Sequence, residues 1–263
     1  MPSIDIGGTR FNYSERGTGT PLVLVHGFPL DNRVWDEQVA GLSDRFRVIA
    51  PDLRGFGQTR SEQAFSMESL AEDLHQFVTK IGARPCVLAG LSMGGYVALA
   101  YDARYPTDLK GLVLVDTRAE GDSTEAKQGR EKMICTAREF GSGAVANAMM
   151  PKMLASDTEQ SRPALMQKLR GIMEACPAKT IEHALAAMRD RRDFRDRLAS
   201  IAVPTLIVVG DQDAITPPAM SEFMAREIPK AKLVVIKGSG HMSPMEQPGQ
   251  VNQAMRTFVE SLG

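Results

Sequence analysis

The sequence predicts an α/β fold, a mostly parallel sheet with helices on both faces, and three observations predict it. Short β-branched runs alternate with amphipathic helical patterns along most of the chain. Most of those runs are almost continuously apolar, as parallel strands covered on both faces must be. A glycine-rich turn, Gly90-Leu91-Ser92-Met93-Gly94-Gly95, joins one such run to the helix that follows.

The chain opens on a hairpin. Ile4-Asp5-Ile6 and residues 10–14 flank Gly7-Gly8, and a Gly-Gly pair between two strand-like runs makes a two-residue turn. The remaining strands are predicted at 22–25, 47–50, 86–89, 112–115, 205–209 and 232–236. Between them, Leu70, Leu74, Phe77, Val78 and Ile81 share one helical face, and residues 96–100 read as helix directly after the glycine-rich turn. Val251, Met255, Phe258, Val259 and Leu262 form a second apolar stripe near the C-terminus. The alternation stops between about 119 and 200. That stretch has helical patterns (Leu165, Leu169, Ile172 and Met173; Ile181, Leu185 and Met188) and no strand-like run. It is too long for a single crossover and is read as a helical insertion, 119–200, in a core made of 1–118 and 201–263. Seven of the 15 Met residues fall in it: Met133, Met149, Met150, Met153, Met166, Met173 and Met188. Met fills irregular gaps between helices, and it also lines adaptable apolar pockets.

Composition narrows the function. With 263 residues, 31 basic and 32 acidic side chains and a net charge of -1, the chain lacks the basic surplus that nucleic acids attract. Residues 189–197 hold five Arg, but Asp190, Asp193 and Asp196 among them predict a solvated face with local ion pairs. Cys86, Cys135 and Cys176 form no C-x-x-C pair, so neither zinc nor a disulfide framework is predicted, and a reducing compartment fits. No signal-peptide pattern and no run of about 18 apolar residues is present. The expectation is a cytoplasmic protein acting on a small molecule, with no nucleic-acid partner and no membrane span.

The chemistry starts at Ser92. G-x-S-x-G alone arises by chance in roughly one chain of this length in ten, given ordinary Gly and Ser usage. Placed between a strand and a helix, it becomes a sharp turn that lifts the hydroxyl above the sheet edge, where side chains in place of the glycines would collide with backbone. A serine hydroxyl needs a base. Of the four His, His75 reads as a surface residue of its helix and His183 as a packing or surface residue of the insertion. His26 ends a strand beside Gly27. His241 stands just past the carboxyl end of the last strand, the edge where open α/β sheets bind ligands, and is the predicted base. The base needs a carboxylate to fix its tautomer. Chain order Ser…Asp…His leaves Asp213, Asp116 and Asp211; Asp213 is preferred because its loop reaches toward that of His241. Two backbone donors are needed for an oxyanion. Met93, after the nucleophile, supplies one and Phe28 the other, since Pro29 has no N–H; His26 is then expected to buttress the Phe28 loop.

Together, H-G-F-P at 26–29, P-D-L-R-G-F-G at 51–57, G-L-S-M-G-G at 90–95, G-D-Q-D-A-I-T-P at 210–217 and G-S-G-H-M at 238–242 resemble the α/β-hydrolase superfamily over nearly the whole chain. The resemblance implies an eight-stranded, mostly parallel sheet, a helical cap over the site, a triad of Ser92, Asp213 and His241, an oxyanion hole at Phe28 and Met93, and no cofactor. Ser92 excludes the members that use an aspartate nucleophile. The elbow lacks the G-G-S-W-G form of proline iminopeptidases. It is similar to that of enol-lactonases and cofactor-free haloperoxidase or perhydrolase esterases, although 26–29 departs from the Ser-Leu-Gly form of enol-lactonases. The implied activity is hydrolysis of small to medium esters or lactones. Carbon–carbon bond hydrolysis, perhydrolysis and a non-catalytic ligand-sensing role on the same scaffold are the alternatives.

Overall fold

The computed structural model describes residues 1–263, apart from the side chain of Glu159. The described strands are β1 (Ser3–Ile6), β2 (Thr9–Arg16), β3 (Pro21–Val25), β4 (Arg47–Pro51), β5 (Cys86–Leu91), β6 (Leu109–Val115), β7 (Thr205–Gly210) and β8 (Ala231–Ile236). They form an eight-stranded sheet in the order β1-β2-β4-β3-β5-β6-β7-β8. β1 and β2 pair antiparallel through the Gly7-Gly8 turn, and β2 pairs antiparallel with β4; the others are parallel. Each predicted strand is present, most of them a residue or more longer.

The apolar runs split by parity, as a period of two requires. Val23, Val25, Leu88, Leu112 and Leu114 face one core, while Leu22, Leu24, Val87, Ala89, Val113 and Val115 face the other. The helices, in chain order, are α1 (Asp36–Leu42), α2 (Met67–Lys80), α3 (Met93–Arg104), α4 (Thr124–Met149), α5 (Ser156–Ser161), α6 (Pro163–Glu174), α7 (Ala178–Asp190), α8 (Pro218–Glu227), α9 (Ser243–Glu246) and α10 (Pro248–Glu260). α2, α3 and α7 bury their stripes in the first core; α1, α6 and α10 bury theirs in the second. α4 to α7 lie between β6 and β7 with no intervening strand. α4 is broken at Gly141, whose φ of 76° leaves the helical region.

One feature of the strand order places the site. β3 pairs with β4 on one side and β5 on the other, so successive connections run in opposite directions from it. Such a reversal opens a crevice outside the carboxyl ends of the two strands. Residues 26–28 leave β3 there, and Ser92 leaves β5 beside them.

Candidate active site

Ser92 occupies the sharp turn from β5 into α3 with φ 53° and ψ -113°, a region that costs a non-glycine residue about 1–3 kcal/mol. Its neighbours hold it there. The Ser92 N–H donates to the Val115 carbonyl at 2.9 Å, and its carbonyl accepts from the Thr117 hydroxyl at 2.7 Å and the Gly95 N–H at 2.9 Å. A Cβ on Gly90 would overlap the Gly94 carbonyl, and one on Gly94 would overlap that of Val25. The glycines of the elbow are thus required by close backbone approach.

The imidazole of His241, 3% exposed, bridges to this serine: Nε2 lies 2.9 Å from Ser92 Oγ, and Nδ1 lies 2.8 Å from Asp213 Oδ2. Asp213 is anchored by its own loop. Its Oδ1 accepts from the N–H groups of Ile215 and Thr216 at 2.8 and 2.9 Å, and its Oδ2 from the Thr216 hydroxyl at 2.7 Å. Burial pushes the Asp213 carboxyl up, but facing His241 and these donors hold it below the ordinary carboxylate value. Burial likewise pushes the His241 imidazole down, yet Asp213, with Asp116 and Glu246 farther off, outweighs this and raises it above the ordinary 6.5. A carboxylate at Nδ1 keeps the proton there and turns the Nε2 lone pair toward Ser92. The two loops meet closely, because a Cβ on Gly210 would overlap the Gly240 carbonyl.

The other two carboxylates serve the same corner differently. Asp211 accepts from the Gly238 and Ser239 N–H groups at 2.9 and 3.3 Å and so shapes the turn before His241. Asp116, wholly buried and with φ 43°, accepts from Gly210 N–H at 2.9 Å and from the N–H and hydroxyl of Ser243 at 3.0 and 2.6 Å. It ties the ends of β6 and β7 to the residues following His241, and neither oxygen bonds the imidazole.

His26 stands where a buttress is expected. Its Nδ1 donates to the Gly27 carbonyl at 2.9 Å and its Nε2 accepts from Leu53 N–H at 3.0 Å, which leaves no nitrogen for proton transfer. Burial pushes this imidazole down, in keeping with a neutral ring. The N–H groups of Phe28 and Met93 donate to no protein acceptor among the described residues. His183 is half-buried with its ring 6.1 Å from that of Phe65. His75 differs from the surface role predicted for it: the ring stacks on Tyr105 at 3.9 Å and bonds Asp108 at 2.8 Å. Among the described residues, no cluster of three or more His, Cys, Asp or Glu side chains is placed to hold a metal ion.

Residues outside the predicted set complete the corner. Thr216 was signalled by its position three after Asp213, the spacing of a local side-chain turn. Glu246, 1% exposed, gave no such signal. Its Oε1 accepts from Gly240 N–H at 2.8 Å and its Oε2 from Ala155 N–H at 2.8 Å, joining the loop of His241 to the stretch between β6 and β7.

A cavity of about 270 Å³ opens beside Phe28, lined also by Arg130, Met133, Met149 and Leu185. Both expectations for the methionines hold in part: Met133 and Met149 line this space, whereas Met150, Met153, Met173 and Met188 are buried in the cores. A larger cavity, about 610 Å³, runs along α10 and the edge strand β8 and contains none of the predicted site residues. Among the described residues, no helix is long and apolar enough to cross a membrane.

Comparison with known proteins places the scaffold. Residues 22–254 match the model of the alpha/beta hydrolase family. The chain is similar to a solved esterase from Thermogutta terrifontis, captured with malate bound, at 41% identity and a TM-score of 0.94 over 99% of this chain and 97% of that one. It is similar to the solved enol-lactonase of Burkholderia xenovorans LB400 at 26% identity and a TM-score of 0.92, over 98% and 100% of the two chains. The AB hydrolase superfamily protein YisY of Bacillus subtilis is 32% identical over 261 residues, 93% of each chain.

Proposed function

The chain belongs to the alpha/beta hydrolase family and is a hydrolase on that scaffold; from that premise we propose that it cleaves small to medium carboxylic esters or lactones through an acyl-enzyme on Ser92. The observation that carries this reading is the continuous hydrogen-bonded chain from Ser92 Oγ through both nitrogens of His241 to Asp213. Ser92 Oγ attacks the carbonyl carbon as its proton passes to His241 Nε2. The negative charge gathering on the carbonyl oxygen meets the open N–H groups of Phe28 and Met93, each such donor being worth about 2.7–4 kcal/mol of barrier. His241 then gives its proton to the leaving alcohol oxygen, and water repeats the sequence on the acyl group. In a lactone the leaving oxygen stays attached, and ring opening takes the place of alcohol release.

Residues 119–200 act in this reading as a cap on the core formed by 1–118 and 201–263. The support is the cavity beside Phe28, whose other walls come from α4 and α7. Such a cap also keeps water from the leaving group and strengthens the electrostatics below it.

The fluorophosphonate reaction tests the assignment directly. Peptide mapping after labelling of folded protein should place the adduct on Ser92; an unlabelled Ser92 would count against an activated hydroxyl and for a ligand-sensing role.

The raised pKa of His241 gives a pH prediction. The base must be neutral to take a proton, so kcat/KM for an ester should rise with pH through an ionisation above 6.5. A profile of kcat/KM over pH 5 to 9 reads it, and a midpoint below 6.5 would mean that Asp213 does not hold the imidazolium as described.

A further inference from the structure

The wall of the cavity beside Phe28 carries more than apolar surface. Asp122, whose side chain is wholly buried, is faced by three guanidinium groups: Arg118 and Arg191 on Oδ1 at 2.7 and 2.6 Å, and Arg130 on Oδ2 at 3.0 Å. Glu120 stands beside Arg118, and Asp193 borders the same space. Arg191, predicted to be solvated with its basic neighbours, is instead buried, with further bonds to the carbonyls of Met188 and Glu120 at 2.6 Å each. Its role is to close the base of the insertion.

Arg130 is different. It donates to Asp122 through Nε alone, and its two terminal nitrogens have no protein acceptor among the described residues. It is also the charged residue on the wall of the cavity, which is otherwise lined by Phe28, Ala126, Gly129, Met133, Met149 and Leu185. That wall begins one residue from the nucleophile's neighbour, since a Cβ on Gly27 would lie 3.2 Å from Ser92 Cβ. A larger charged cavity of about 610 Å³, bordered by Arg118, Lys127, Arg191 and Arg195 with their acidic partners, adjoins it at Ala126.

We infer that this enzyme prefers esters whose acyl chain is short, apolar and ends in a carboxylate, and that Arg130 binds that carboxylate. The inference rests on the ester or lactone reading and adds a substrate class to it. The planar fork of a guanidinium with one edge held by Asp122 presents its remaining N–H groups in a fixed direction, the arrangement suited to paired bonds with a carboxylate. A cavity of about 270 Å³, just below the usual range of ligand pockets at about 300–1,000 Å³, suits an acyl chain of a few carbons. Arg118 and Arg191 would still neutralise Asp122 if Arg130 were replaced.

Monomethyl glutarate and methyl valerate test this, because the first carries a carboxylate where the second ends in a methyl group. At low ionic strength the wild-type kcat/KM ratio, glutarate ester over valerate ester, should exceed about tenfold, and Arg130→Gln should lower that ratio roughly ten- to hundredfold. Arg130→Lys should recover part of it, and Arg256→Gln, on α10 and paired with Asp44, should leave the ratio alone. A wild-type ratio near one, or a ratio that Arg130→Gln does not change, overturns the inference. If neither ester is hydrolysed, the ester reading itself fails. Calorimetric titration of Ser92→Ala protein then decides the site separately: binding of monomethyl glutarate that disappears with Arg130→Gln sustains it, and absent or unaffected binding overturns it.

Discussion

Ser92→Ala should lower kcat/KM for a p-nitrophenyl ester by about 10⁶ while leaving the fold in place. A loss of that size corresponds to roughly 8 kcal/mol of barrier, more than any single hydrogen bond in the site supplies. Its origin is the acyl-enzyme route: without Oγ there is no atom to form the ester intermediate, and His241 at Nε2 faces a methyl group. Stability should behave otherwise. The strained backbone of residue 92 is held through its N–H and carbonyl by Val115, Thr117 and Gly95, and none of these bonds uses the hydroxyl. Thermal unfolding by circular dichroism should therefore give a midpoint close to that of the parent. Retention of ester hydrolysis within tenfold of the parent would remove Ser92 as the nucleophile.

Much of this architecture was legible from local pattern. Strands β3, β5 and β7 are almost uninterrupted apolar runs because helices cover both of their faces, and the Gly7-Gly8 turn takes the left-handed backbone its composition invites, with φ of 53° and 83°. β6 starts three residues earlier than its apolar run: Leu109 still pairs with Cys86, and the exposed Lys110 is passed over in a register shift before Gly111 pairs with Val87. α4 was legible only as part of a helical insertion, with no apolar stripe of its own to mark it. Its buried residues are few (Ile134, Ala137, Val145 and Ala146), and Gly129, Gly141 and Gly143 lie along it. Its packing against α7, a tertiary contact, holds it where intrinsic propensity does not. The same division applies to the site. Ser92, Asp213 and His241 each follow the carboxyl end of a strand, so order along the chain and position beside the sheet identified them. The ties made by Glu246 to Ala155, 91 residues away, and by Asp116 to Ser243, 127 residues away, depend on distance in space that no local pattern encodes. Arg191 was misread for that reason: five Arg among three Asp is the composition of a wet face, and only the fold turns one of them inward onto Asp122.

The pair Asp213→Asn and Asp116→Asn separates the acid from its neighbour. In Asp213→Asn the side chain can present an amide N–H to His241 Nδ1, which places the ring proton on Nε2 and leaves Ser92 without an acceptor; turnover should fall by about 10⁴. The loss of charge also releases the imidazolium, so any residual activity should titrate at lower pH than in the parent. Asp116→Asn acts on a different link. Burial and the nearby Asp213 charge push the Asp116 carboxyl up to about 7. Its geometry explains what it does: two donors from Ser243 and one from Gly210 converge on it, and an amide N–H turned toward Ser243 would confront a donor. The expected cost is about 1–3 kcal/mol of stability, the price of a buried donor left unpaired, with a loss of turnover far smaller than for Asp213→Asn. Because Asp116 also raises the His241 pKa, its replacement should move the lower limb of the pH profile downward, in the same direction as Asp213→Asn but by less. Steady-state rates of both variants, taken at the pH optimum of each, rank the two carboxylates. If Asp116→Asn proves the more damaging to kcat, the imidazole takes its support from the end of β6, and the 2.8 Å bond to Asp213 holds the loop without serving the proton transfer.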